Sequence, residues 1–271
     1  MSQTKLRLSA KTRMMSSSGS LTEWVSAENP LTFQRLGQGL VGLGQVERMT
    51  FRGPGRFREA SVAWKKLVEE AEIDSPLNTP GSGLVCFGTF SFDDFSNQES
   101  VLIIPRVIIG REGSNSWRTD ISVEGAPREK SVSGHSELVD LEPIQWATGL
   151  MGEKDYVAKV TQLIPEIRSG RLDKVVLARD LVARAPAIKD WRQAISHLVE
   201  TYPDCQTFAI DGFLGSSPET LARVERGNLS LRVLAGSSAR GSSPAEDRTR
   251  SEDLITSSKD NDEHRYAVNG V

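Results

Sequence analysis

Lys174-Val175-Val176-Leu177-Ala178-Arg179 is the stretch on which the reading of this chain turns. Its apolar residues predict a strand from Lys174 to Val182. Alternation puts Lys174, Val176 and Ala178 on one face and Val175, Leu177 and Arg179 on the other. A lysine opening such a strand is costly to bury, because its ammonium must leave water. A lysine amine becomes a base only where desolvation or a neighbouring cation frees it of its proton. The plainer reading is a strand-end lysine whose head reaches solvent.

Downstream, Gly215-Ser216-Ser217-Pro218-Glu219-Thr220-Leu221 places a glutamate behind a proline at the start of a second predicted strand, 219–224. Proline fixes its own φ and so sets the angle of entry. Glu219 is either an exposed edge residue or a proton donor. Leu234-Ala235-Gly236-Ser237-Ser238-Ala239-Arg240-Gly241 follows a third predicted strand, 229–234. Its glycines free the backbone to approach an anion, with Arg240 as added charge, although many such loops are simply flexible. Lys259-Asp260-Asn261-Asp262-Glu263-His264 sets Asp260, Glu263 and His264 on one helical face. That face is either ordinary solvated surface or an oxygen donor for Mg²⁺, to which one glutamate alone is a poor ligand set.

Upstream of Lys174, apolar spacing predicts helices over 156–167, with Pro165 imposing a kink or an early stop, and over 188–199. Residues 125–149 read as a polar connector. Before it, 40–51 reads as hairpin material, 56–71 as a helix, and 84–92 and 101–109 as buried strands. Phe87, Phe90 and Phe92 are assigned to the core. The first twenty residues carry Lys5, Arg7, Lys11 and Arg13 and no acid. They resemble a transit segment but are taken as a flexible basic tail. The expected divisions are therefore 1–20, 21–149 and 150–271.

Composition narrows the class. The 271 residues are 38% hydrophobic and 25% charged with net charge −3, which suits a globular protein and argues against a nucleic-acid partner. No apolar run is long enough to cross a bilayer, so a membrane partner is not expected. Cys86 and Cys205 lie far apart in apolar surroundings and read as buried reduced thiols of a cytoplasmic protein.

The four segments Lys-Val-Val-Leu-Ala-Arg, Ser-Pro-Glu-Thr-Leu, Leu-Ala-Gly-Ser and Lys-Asp-x-x-Glu-His resemble, in this order, those of the chorismate-utilising enzymes, and among them the isochorismate synthases. The glycines at 42 and 44, residues 53–57 and Phe87-Gly88-Thr89-Phe90-Ser91-Phe92 add to the likeness. The resemblance implies an α+β fold of antiparallel sheets flanked by helices, with its C-terminal part missing. It implies Mg²⁺-dependent conversion of chorismate to isochorismate by a monomer, in menaquinone or siderophore synthesis. It assigns Lys174 as the base that activates water, Glu219 as the acid for the departing hydroxyl, Glu263 as a metal ligand, and Gly236 and Ser237 to the substrate loop. Relatives that use ammonia carry glutamine at the position of Lys174, and some carry lysine where Ala235 stands, so both positions favour water. Salicylate synthase shares the lysine and remains the nearest alternative. Members of the family continue beyond the point matching Val271, so a fragment or interrupted gene product, unstable or inactive alone, or a partner-binding remnant, is the other expectation.

Overall fold

The computed structural model describes residues 7–16, 19–125, 144–184 and 190–270. They form two compact units, Met1–Ser216 and Ser217–Val271. The expected boundary at 149/150 falls inside the first unit.

The first unit is built on strands β1 (Leu8–Met15), β2 (Leu31–Arg35), β3 (Gln38–Leu43), β4 (Glu47–Phe51), β5 (Glu72–Asp74), β6 (Phe87–Thr89), β7 (Ser100–Ile104), β8 (Val107–Glu112) and β9 (Asn115–Val123). Beyond the connector come β10 (Gln145–Thr148), β11 (Leu181–Arg184), β12 (Gln206–Ile210) and β13 (Phe213–Ser217), and the helices are α1 (Arg56–Glu70), α2 (Glu153–Arg168) and α3 (Arg192–Thr201). Eight strands make one sheet in the order β13-β12-β2-β3-β8-β9-β1-β5, and β4-β7-β6 make a second. All registers recorded in these two sheets are antiparallel except β1 with β5.

Strand β8 shows why the large sheet is buried on both faces. Val107 and Ile109 pack with Leu21, Val25, Val41 and Ile195 of α3, while Ile108 packs with Leu8, Ala10, Ile104 and Ile121. Trp64 and Leu67 of α1 cover this second cluster. Each such fully buried aliphatic side chain contributes roughly 1.5–3 kcal/mol. Gly110, also on β8, lies against the Trp117 indole so closely that a Cβ there would overlap the ring.

Several expectations change here. Residues 8–15 are not a flexible tail: β1 pairs along its whole length with β9, and Leu8 and Ala10 are buried. Leu8, Ala10 and Thr12 alternate on the buried side, the Thr12 hydroxyl bonded to Thr119, and the basic residues Lys11 and Arg13 take the exposed side. The 40–51 stretch is no hairpin, since β3 pairs with β2 and β8 whereas β4 pairs with β7 in the other sheet. The run 101–109 breaks at Pro105, which has no N–H to give a ladder, so β7 and β8 enter different sheets. The 84–92 strand shrinks to β6. Phe87 is buried, Phe90 stacks on Phe57 at 4.8 Å, and Phe92 is fully exposed, not core. Pro165 does not end α2, which runs on to Arg168; near the C-terminus it disrupts little of the remaining ladder. Residues 126–143 of the connector lie outside the described residues.

The second unit holds the short hairpin β14 (Arg223–Glu225) and β15 (Asn228–Ser230), an irregular segment 231–242, and the helices α4 (Pro244–Thr256) and α5 (Ser258–Asn269). The Arg226-Gly227 turn has positive φ at both residues, as a two-residue hairpin requires. The predicted strands 219–224 and 229–234 are thus reduced to three residues each.

Candidate functional site

Lys174 lies in the first unit; Glu219, Gly236, Ser237 and Glu263 lie in the second. Residues 174–180 are not a strand. They are irregular and largely exposed, Val176 at 81%, and β11 begins only at Leu181. A strand needs a partner for its N–H and C=O groups, and no described strand pairs with this segment. Hydrogen bonds from neighbouring segments pin it instead. The Tyr156 hydroxyl on α2 donates to the Leu177 carbonyl at 3.1 Å. The Leu150 N–H donates to the Asp180 carboxylate at 2.8 Å. Lys174 itself is an exposed residue.

Glu219 is exposed and stands outside any strand. Ser217 organises the turn around Pro218: its Oγ accepts from the Glu219 N–H at 3.3 Å and lies 3.4 Å from the Glu219 carbonyl. The turn therefore fixes the backbone at Glu219 while the carboxylate meets solvent.

The glycine-serine loop and the acidic helix do come together. Gly236 has φ +84° and lies against Asp260, where a Cβ would stand 3.0 Å from the Asp260 Cβ. A side chain at 236 would thus be opposed both by the backbone angle and by the helix behind it. Ser257 caps α5 by accepting from the Asp260 N–H at 3.2 Å, which places the Asp260 carboxylate in the first turn, where the helix dipole favours it. Asp260, Asn261 and His264 line a shallow cleft of about 220 Å³ with Leu234, Ala235, Leu254 and Ile255. Glu263 is half-buried on the same helix and Ser237 is exposed. Among the described residues no group of three or more His, Cys, Asp or Glu gathers as a metal site. Glu263 fits Mg²⁺ as one oxygen donor, and the described residues supply no complete donor set around it.

Sequence reasoning missed what holds this loop. Asp247 Oδ1 accepts from the Gly241 N–H at 2.9 Å, and Asp247 Oδ2 pairs with Arg240 at 2.7 Å. Arg240, offered as charge for an anion, is thus engaged within its own unit. Glu246 accepts from the Ser242 N–H at 2.8 Å, and Arg250 reaches the carbonyls of Ala239 and Arg240 at 3.1 and 3.0 Å. The Ser242 hydroxyl and N–H, then Arg250, hold the Glu246 carboxyl below the usual range. The Ser243-Pro244-x-Glu246 pattern, a helix-start signature, was the available signal. A larger cleft of about 430 Å³ in the first unit is lined by Ser26, Asn29, Leu31, Trp191, Asp211 and Phe213 among others, and none of the expected site residues reaches it.

Comparison with known proteins gives the family of the chain. The family model described as chorismate binding enzyme matches residues 32–271. The chain belongs to the chorismate-binding enzymes. The salicylate biosynthesis isochorismate synthase of Pseudomonas aeruginosa is 30% identical over 247 residues, covering 81% of this chain and 50% of that protein. The isochorismate synthase MenF of Bacillus subtilis is 25% identical over 277 residues, covering 90% of this chain and 57% of that protein. Anthranilate synthase component 1 chains match as well. The solved structure of the menaquinone-specific isochorismate synthase MenF of Escherichia coli superposes with a TM-score of 0.63 at 19% identity, over 97% of this chain and 62% of that one. That last likeness shows the α+β fold. The chain spans about half the length of the curated relatives it matches. No described helix is long and apolar enough to cross a membrane.

Proposed function

We propose that this chorismate-binding chain serves isochorismate synthesis. The observation that carries the reading is the packing of Gly236 against Asp260, which sets the Leu-Ala-Gly-Ser loop beside the helix bearing Glu263. The names of the relatives and the lysine at 174 favour water over ammonia as nucleophile. In the proposed reaction Lys174 takes a proton from water as its oxygen bonds to C2 of chorismate. The ring double bonds shift, the C4–O bond breaks, and Glu219 gives its proton to the departing hydroxyl. Water is consumed and released, so the net change is an isomerisation. Glu263 would hold Mg²⁺, whose positive charge would offset that of the substrate carboxylates. The loop at Gly236 and Ser237 would fix the ring. A cytoplasmic monomer feeding menaquinone or siderophore synthesis is the setting proposed.

Product analysis tests it. With chorismate and Mg²⁺ the chain is expected to yield isochorismate alone, and Lys174→Ala to lower the rate by roughly 10²–10⁴-fold, the worth of general acid–base catalysis. Salicylate with pyruvate would assign the synthase reaction instead. Binding without turnover would favour the non-catalytic remnant.

A further inference from the structure

The loop from Gly236 to Gly241 has no regular secondary structure, yet side chains of α4 hold it at several points. Arg250 bonds it at two successive residues. Its Nη1 donates to two successive carbonyls, Ala239 at 3.1 Å and Arg240 at 3.0 Å. Its Nη2 donates to the Glu246 carboxylate one turn back at 2.6 Å. Glu246 in turn accepts from the Ser242 N–H at 2.8 Å, and Asp247 from the Gly241 N–H at 2.9 Å. Gly241 admits nothing larger, because a Cβ would run into the backbone of Glu246 and Asp247. The far end of the loop is thereby stitched to α4 while Gly236 rests on α5. Irregular backbone of this kind normally samples many conformations, at roughly 1–2 kcal/mol of conformational entropy per residue fixed. A planar guanidinium bonding two carbonyls and a carboxylate at once removes that freedom in a way the single point charge of lysine does not.

We infer that Arg250 is a positioning residue for the substrate loop: through the carbonyls of 239 and 240 it holds residues 236–241 ready for an anionic, carboxylate-bearing ring. This rests on the chorismate reading above and adds a residue outside the four motifs. Arg250 touches no reacting atom. Its effect is to spare the substrate the ordering of the loop, so it acts on affinity more than on the chemical step.

The test compares the full chain with Arg250→Lys and Arg250→Met. Backbone amide exchange is read at 236–241, chorismate affinity by titration in Mg²⁺, and global stability by the thermal midpoint. Both variants are expected to exchange at least about tenfold faster in the loop and to bind chorismate about tenfold more weakly, with the midpoint nearly unchanged. Failure of lysine to rescue marks geometry rather than charge as the cause. Unchanged loop exchange overturns the inference whatever chorismate does. Loss of midpoint with unaltered affinity also overturns it, in favour of a merely structural role. If the wild-type chain shows no saturable chorismate binding, the substrate reading fails, and the ligand half of this inference fails with it, even where loop exchange behaves as expected.

Discussion

Cys86 shows how strongly surroundings set the chemistry of one side chain. Packed beside Val85 against the cluster of Leu8, Ala10 and Ile108, its thiol is pushed by burial from an ordinary 9.0 up to about 12. The folded chain keeps a proton there that the unfolded chain gives up above about pH 9, so this residue lowers stability as pH rises from about 9 towards 12 and does nothing below. Thiolate is the form that alkylates. Iodoacetamide at about pH 8 should therefore leave Cys86 unmodified until denaturant is added, as read by peptide mass. Modification at the rate of the unfolded chain would show the burial to be wrong. The candidate site was legible to a different degree at each residue. Lys174, Glu219, Gly236, Ser237 and Glu263 stand out by motif, because their neighbours in sequence are distinctive. Arg250 and Asp247 do not, because charged residues on a polar helix look alike until the loop they bind is folded onto them, and Glu246 is marked in the sequence only as part of a helix start.

At the scale of elements, local pattern succeeded where the partner was local. Helix α1 follows its apolar spacing almost to the residue, and the turn at Arg226-Gly227 sits where its glycine puts it. It failed where pairing is remote. Strand β1 bonds to β9 more than a hundred residues away, and nothing in a serine-rich basic stretch announces that partner. The 174–180 segment has the composition of a strand and no described partner, so its composition is not realised. The β2–β3 hairpin holds a local conflict of the opposite kind. Its two-residue turn puts Leu36 at φ +51° beside Gly37 at φ +70°. A left-handed backbone suits asparagine or glycine there and opposes leucine. Leu36 is exposed, so little burial is lost on replacement. Leu36→Asn is expected to stabilise the first unit by about 1 kcal/mol, seen as a raised urea midpoint at constant slope. A lowered midpoint would mean that the side chain of Leu36 packs more than its exposure indicates.

At the scale of the whole molecule, the two units differ in how much core they own. The first buries its large sheet on both faces, with Ile104, Ile108 and Ile195 fully enclosed. The second has no buried residue in either helix and exposes Leu221, Val224 and Ile255. Polar contacts with α4 order the 236–241 loop beside the proposed substrate site. Chorismate titrated in Mg²⁺ into the isotope-labelled chain, with backbone amide shifts followed, tests the central claim most directly. The account predicts saturable shifts at Gly236, Ser237 and Glu263, and at Lys174 in the first unit. Shifts confined to the cleft at Asn29, Trp191 and Phe213, or no saturable shift at all, would contradict it.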